Sequence, residues 1–354
     1  SGMNLSRLLG VCVLSLSALL SFPSQAAPKT QFNVCWTIYA GWMPWGFIGT
    51  QGIIDKWADK YGIKIKVTQL NDYVESINQY TAGQFDGCTM TNMDALTIPA
   101  AGGVDTTALL LGSFSAGNDG IVLKGKGKTL GDLRGMKVNL PELSVSHYLL
   151  VRGLETAGLR ERDVTVVNTS DADIVAAFAT RSVQAAVAWN PQLSAIRNQP
   201  DTTEVFQSGQ IPGELIDMMV VNTQTLQDNP ALGKALAGAW FEMMALMKAG
   251  DKSALESMAA ASGTDLAGYQ AQLKTTHLFY SAQDNLAFLT NDDLPNTMKR
   301  VADFSFEKGL LGAGAQSADF IGMTFPGQVA QGDSANVKLR FDDTFVRLAA
   351  ENKL

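Results

Sequence analysis

The chain has 354 residues, is 46% hydrophobic and 17% charged, and carries a formal charge of −7. That balance is ordinary for a globular protein, and no low-complexity tract or short repeat points to a fibrous or disordered chain. The net negative charge argues against nucleic acid or an anionic membrane surface as partner.

In chain order, Ser1 and Gly2 precede Met3 and read as a tag remnant (1–2). Residues 3–26 read as a secretory signal peptide: an early cation, Arg7, an uncharged apolar run from Leu8 to Leu20, a breaker at Pro23, and small residues around Ala26. The run is shorter than the roughly 20 residues a spanning helix needs. Cys12 follows Val11 rather than a small residue, so no lipid anchor is expected. The expected mature protein is soluble, periplasmic and monomeric. Its remaining length exceeds the ~250–300 residues beyond which single cores stop growing, so two lobes are expected.

Phe32–Tyr39 is a β-branched and aromatic run that predicts a first strand. Trp45–Tyr61 predicts an amphipathic helix stopped by Gly62, and Lys64–Leu70 a second strand. Asn71 or Asp72 opens a helix through Thr81, Asp86–Met90 is a third strand, and Asn92–Ala100 a third helix. Such strand–helix–strand units imply a parallel sheet covered on both faces. Extended runs at Ala108–Leu111 and Gly120–Leu123 mark a first crossover. The alternation then resumes with strands at Lys137–Leu140, Val164–Val167 and Ala185–Trp189, and helices at Ser146–Ala157 and Asp171–Arg181. A return crossover falls around Pro212–Asn222, and the chain after Thr223 reads as mainly helical. The expected lobes are therefore 27–112 with 218–354, and 113–217. Two crossovers imply a hinge that can close on a ligand.

The ordered motifs resemble the nitrate/sulfonate/taurine-type family of periplasmic binding proteins. They are Gly41-Trp42-Met43-Pro44 after the first strand, Tyr80-Thr81-Ala82-Gly83-Gln84-Phe85-Asp86, Leu130-Gly131-Asp132-Leu133-Arg134-Gly135-Met136-Lys137-Val138, and Ala188-Trp189-Asn190-Pro191. The resemblance implies an α/β, type II periplasmic-binding fold of two doubly wound lobes. It also implies an ABC importer with permease and ATPase partners. Tyr39-Ala40-Gly41-Trp42-Met43-Pro44-Trp45 and Ile211-Pro212-Gly213-Glu214-Leu215-Ile216-Asp217 look most like receptors associated with urea-carboxylase-type enzymes. That association implies guanidine, or urea, as cargo.

In open α/β sheets ligands lie beyond the carboxyl ends of the strands. Those windows hold Asp72, Glu75, Asp94, Glu142, Asp171, Asp173, Glu214 and Asp217, with Tyr39, Trp42, Trp45, Tyr73 and Trp189, and no Lys or Arg. Carboxylates accept paired bonds from a planar guanidinium, and indoles offer it π-faces. The expected site is thus an aromatic wall of Trp42 and Trp45, with Tyr39 and Trp189 nearby. Asp94 and one of Glu142, Glu214 or Asp217 would supply carboxylates, with Glu75 and Ser146 at the margin. Each residue also has a structural reading. Asp94 complements a helix it opens, Asp72 with Glu75 forms a capping pair, Asp171 and Asp173 cap their own helix, Ser146 is an N-cap, and Asp217 anchors the hinge.

Other readings of the same sequence are a receptor for urea, another neutral amide, nitrate or sulfonate, a sensor, and an enzyme on this fold using Cys88 with His147. Cys35 and Cys88 are either bridged or free thiols on neighbouring strands. With two histidines (His147, His277) and no ligand spacing, neither metal nor cofactor is expected.

Overall fold

A computed structural model describes residues 29–354, so the expected tag and signal segment lie outside the described residues. The chain builds two sheets. The strands are β1 (Gln31–Trp36), β2 (Lys64–Gln69), β3 (Gly87–Thr91), β4 (Thr106–Ser115), β5 (Asp119–Lys124), β6 (Lys137–Leu140) and β7 (Thr165–Asn168). They continue with β8 (Ala185–Trp189), β9 (Thr202–Gln207), β10 (Ile216–Asn222), β11 (Thr276–Leu278), β12 (Gly322–Thr324) and β13 (Val337–Phe341). The first sheet runs β12-β13-β4-β10-β3-β1-β2 with β11 paired on β4, and the second runs β7-β6-β8-β5-β9.

The first lobe begins as a parallel unit, with β1 between β2 and β3. β10 enters antiparallel between β3 and β4. β3 and β8 are buried along their whole length, as strands covered on both faces must be. The chain passes between the sheets twice, from Ser115 to Asp119 and from Gln207 to Ile216.

Several predicted elements change in detail. The helix expected over Trp45–Tyr61 is two helices, Met43–Thr50 and Ile53–Lys60, because Gly52 adopts a left-handed φ of 79° between them. The third helix is regular only over Asn92–Ala95 and widens to a π-turn over Leu96–Ala100, where Pro99 has no N–H to donate. The C-terminal region is mainly helical but also supplies β11, β12 and β13 to the first sheet, which the sequence reading lacked. Cys35 and Cys88 stand opposite each other in the β1–β3 register and are joined as a disulfide.

Candidate ligand site

The site forms where the ends of β1, β3 and β10 face the second lobe. Thr91 closes β3 and caps the helix Asn92–Ala95, its Oγ1 accepting from the Asp94 amide at 3.3 Å. The same hydroxyl donates to Asp94 Oδ2 at 2.9 Å. Tyr73 opens the helix Tyr73–Thr81 and donates its phenol to Asp94 Oδ2 at 2.5 Å, while its oxygen accepts the Thr91 amide at 2.9 Å. A third donor to Asp94 Oδ2 comes from the second lobe, the Val145 amide at 3.4 Å. Asp94 Oδ1 is buried and has no partner. Burial raises the Asp94 pKa to about 6, although the bonds from Tyr73, Thr91 and Val145 pull the other way.

Two further carboxyls share this space. Asp217 of β10 pairs in register with Thr91, and its Oδ2 accepts from Tyr39 Oη and Ser113 Oγ, each at 2.8 Å. Burial and then the nearby Asp119 raise the Asp217 pKa to about 8. Asp119 begins β5 opposite Trp189 and accepts from Ser115 Oγ at 2.6 Å. Burial raises it to about 7, opposed by the Ser115 bond and reinforced by Asp94. Gly41 is required for this assembly, because a Cβ there would stand 2.6 Å from the Tyr39 ring and 3.1 Å from Ser113 Oγ.

Aromatic rings complete the walls. Trp42 meets Tyr39 edge-on at 5.0 Å and Tyr73 at 5.6 Å, and Tyr73 meets Trp189 edge-on at 5.3 Å. Together with Thr91, Val145, Asp119 and Asp217, these four rings line a narrow recess with about 10 Å³ of room, and no Lys, Arg or His is among the lining residues. That is about the room of a single water, so a solute of several heavy atoms needs the lobes to part before it can enter. Trp42 Nε1 is a buried donor without a partner. The lobes are shut over the cavity by bonds from the Ala40 amide to Asn190 O at 2.9 Å and from Trp189 Nε1 to Ile38 O at 3.3 Å.

Of the residues expected from the sequence, Tyr39, Trp42, Trp189 and Asp217 line this cavity, and Asp94 sits behind Tyr73, Thr91 and Val145. The others are placed elsewhere. Trp45 does not join the aromatic wall; it is buried and stacks on Trp240 in the core at 5.0 Å. Glu142 is exposed, its amide donating to Asn168 Oδ1. Glu75 is exposed and accepts from Gln79, while its amide is capped by Asp72. Glu214 is spent on Arg152 and Tyr148. Ser146 is fully buried, and Ser144, not Ser146, caps the helix Val145–Thr156. Asp171 accepts the Tyr73 amide across the lobes instead of capping its own helix. Sequence reasoning missed Ser113, near the end of β4, and Asp119, the first residue of β5, which stand on either side of the crossover. Two polar residues flanking a Gly/Ser-rich turn between buried strands were the available signal.

Cys88 is bonded to Cys35, and His147 Nε2 contacts Glu161 at 2.5 Å, so neither belongs to a nucleophile–base pair. Among the described residues, no group of three or more His, Cys, Asp or Glu is placed to hold a metal ion, and no helix is long and apolar enough to cross a membrane. A larger groove beside β2, near Lys29 and Lys64, is open to solvent and collects none of these buried acids.

Residues 57–249, more than half of the chain, match the NMT1/THI5-like family. A taurine-binding periplasmic protein of Escherichia coli is 27% identical over 143 residues, 40% of this chain and 45% of that protein. The chain thus spans less than half the length of that curated relative. Among solved structures, the alkanesulfonate-binding protein of Xanthomonas axonopodis pv. citri superposes with TM-score 0.64 at 19% identity, covering 81% of this chain and 96% of its own. The periplasmic nitrate-binding protein of Synechocystis PCC 6803 does so with TM-score 0.64 at 13% identity, covering 92% and 90%. These likenesses establish the fold, the two-lobed α/β architecture of periplasmic binding proteins.

Proposed function

We propose that this chain, which belongs to the NMT1/THI5-like family, is the periplasmic solute-binding protein of an ABC-type importer and that its cargo is guanidinium. One observation carries the ligand reading: two buried carboxyls, Asp119 and Asp217, and four aromatic rings line a small recess without any cationic side chain, with a third buried carboxyl, Asp94, directly behind Tyr73 and Thr91. Relatives are named for taurine, alkanesulfonate and nitrate, all anions or zwitterions with an anionic end. An anion placed among Asp94, Asp119 and Asp217 would find no cationic side chain to balance it and would be repelled by any of these acids that is ionised. A planar cation reverses every sign. Its N–H pairs can reach carboxylate oxygens by charge-assisted bonds, and a desolvated cation against these rings gains about 2 kcal/mol.

One bound monocation neutralises one carboxylate, and the spread of pKa values at about 6, 7 and 8 lets the remaining acids keep protons. Asp94, whose Oδ1 is buried without a partner, is the natural counter-charge. A second reading, urea, is favoured by the unpartnered Trp42 Nε1, a donor that guanidinium cannot satisfy. Protonated carboxyls would then act as donors to a neutral carbonyl. In either case capture would precede delivery to permease and ATPase partners.

Titration calorimetry on ligand-free protein separates these readings. Guanidinium chloride should bind at about micromolar Kd or tighter, near −8 kcal/mol, and more tightly as pH rises from 6 to 8. Urea should bind more weakly. Saturable binding of taurine or nitrate, with no heat from guanidinium, would reject the cationic cargo and retain the capture role.

A further inference from the structure

Asp171 lies outside the cavity lining, is 5% exposed, and belongs to the turn that follows β7 in the second lobe. Its Oδ1 accepts the backbone N–H of Tyr73 at 3.0 Å. Tyr73 heads the nine-residue helix Tyr73–Thr81 of the first lobe, whose opening amides have no intrahelical acceptor. Asp72, from the same lobe, serves the Glu75 amide at 3.1 Å. The first turn of this helix is thus served by two acids, one from each lobe. The helix nearest to Asp171, Ile174–Phe178, takes no side-chain cap from it.

The bond has a direct line to the site. The residue whose amide Asp171 holds is the one whose phenol holds Asp94 at 2.5 Å and whose ring forms a wall of the cavity. Asp171 also shares an apolar recess with Trp189, the second-lobe ring that meets Tyr73 edge-on. The charged groups acting on Asp171 are Asp72 and Asp173, both acids, so no ion pair competes for its carboxyl. When the lobes part, the Tyr73 amide loses this acceptor.

We propose that Asp171 is a closure latch, a positioning residue that ties the second lobe to the Tyr73 amide and thereby sets how long the cavity stays shut. This rests on the two-lobed capture reading but not on the identity of the solute. Two measurements test it on the ligand-free and guanidinium-loaded protein, comparing Asp171→Ala and Asp171→Asn with the parent chain. Amide hydrogen exchange at Tyr73 needs no ligand. It should speed by about tenfold in Asp171→Ala, as expected for loss of one hydrogen bond to a charged acceptor. Stopped-flow tryptophan fluorescence with guanidinium chloride should show dissociation faster by about the same factor and association little changed. Asp171→Asn keeps an acceptor oxygen and should recover most of both. Exchange and dissociation at parental rates in Asp171→Ala would overturn the latch, as would equal loss in the two variants. If the parent chain fails to bind guanidinium, the ligand reading falls, and the exchange comparison still decides the latch.

Discussion

Two clusters of acids lie along the boundary between the lobes, and they are treated in opposite ways. In the rear cluster, Glu214 and Glu161 each have a cation. Glu214 accepts from Arg152 at 3.0 and 3.1 Å and from Tyr148 Oη at 2.5 Å, and Glu161 is bonded by His147 and Lys308. The bonds to Glu214 hold the Arg152 guanidinium charged beyond its ordinary range. Burial pushes Glu161 up, but Lys308 and His147 outweigh it and leave its pKa lowered. At the cavity, Asp94, Asp119 and Asp217 have hydroxyls and amides but no cation, and all three are raised. One helix serves both places: Val145 at its start lines the cavity, and Tyr148 and Arg152 further along complete the paired cluster. The rear cluster supplies its own counter-charges. On the proposed reading, the front one leaves that role to a solute.

The contrast can be broken from the front first. Asp94→Asn should cost guanidinium binding about 2–4 kcal/mol, because one counter-charge is lost from a buried site. The amide oxygen can keep the bonds from Tyr73 and Thr91, which directs the new NH2 to the place of the free Oδ1, donor against donor. Calorimetry reads this directly, and unchanged affinity would remove Asp94 from the site. Glu214→Gln tests the rear. It should lower folding stability by about 2 kcal/mol, since Arg152 loses its partner but is partly open to solvent, and leave guanidinium affinity nearly unchanged. Denaturant titration beside calorimetry measures both.

The pH response should differ in sign between stability and binding. Burial raises each of these acids above the ordinary aspartate value of 3.8, so the folded, ligand-free protein holds protons that the unfolded chain has released. Stability from these groups is therefore full at low pH and is lost as pH rises toward about 8, by up to about 1.4 kcal/mol per unit for each proton involved. Guanidinium affinity should climb over the same upper range as carboxylates form. Melting temperature against pH, with and without guanidinium, displays both trends. The smallest effect expected is that of Trp42→Ala, which should weaken binding by about 1–2 kcal/mol through the lost ring contact. A fluorescence-detected titration would register it.

How much of the site was legible depended on whether a residue's neighbours in space were also its neighbours in sequence. Trp42 and Trp45 share one turn and one chemistry, yet only Trp42 meets the cavity. A helix rotates residues three apart only partly in step, and the partner that captures Trp45 is Trp240, almost two hundred positions away. Glu214 looked as available as Asp217 until Arg152 came into reach from another helix. Asp171 read as a local cap, because the Tyr73 amide that it serves is visible only once the lobes meet.

Hydrophobic periodicity, strand ends and the breakers Gly62 and Gly83 were local patterns. They determined the alternating α/β order, the crossovers, and the absence of cations from the strand-end windows. Those features survive because burial of apolar faces depends on spacing along the chain. Which acids keep a partner and which are left facing an empty space is a property of three-dimensional neighbours. Electrostatic pairing acts over a few ångströms in space and is blind to distance along the sequence, so only the tertiary structure could sort Glu214 from Asp217 and bring Asp119 into the site.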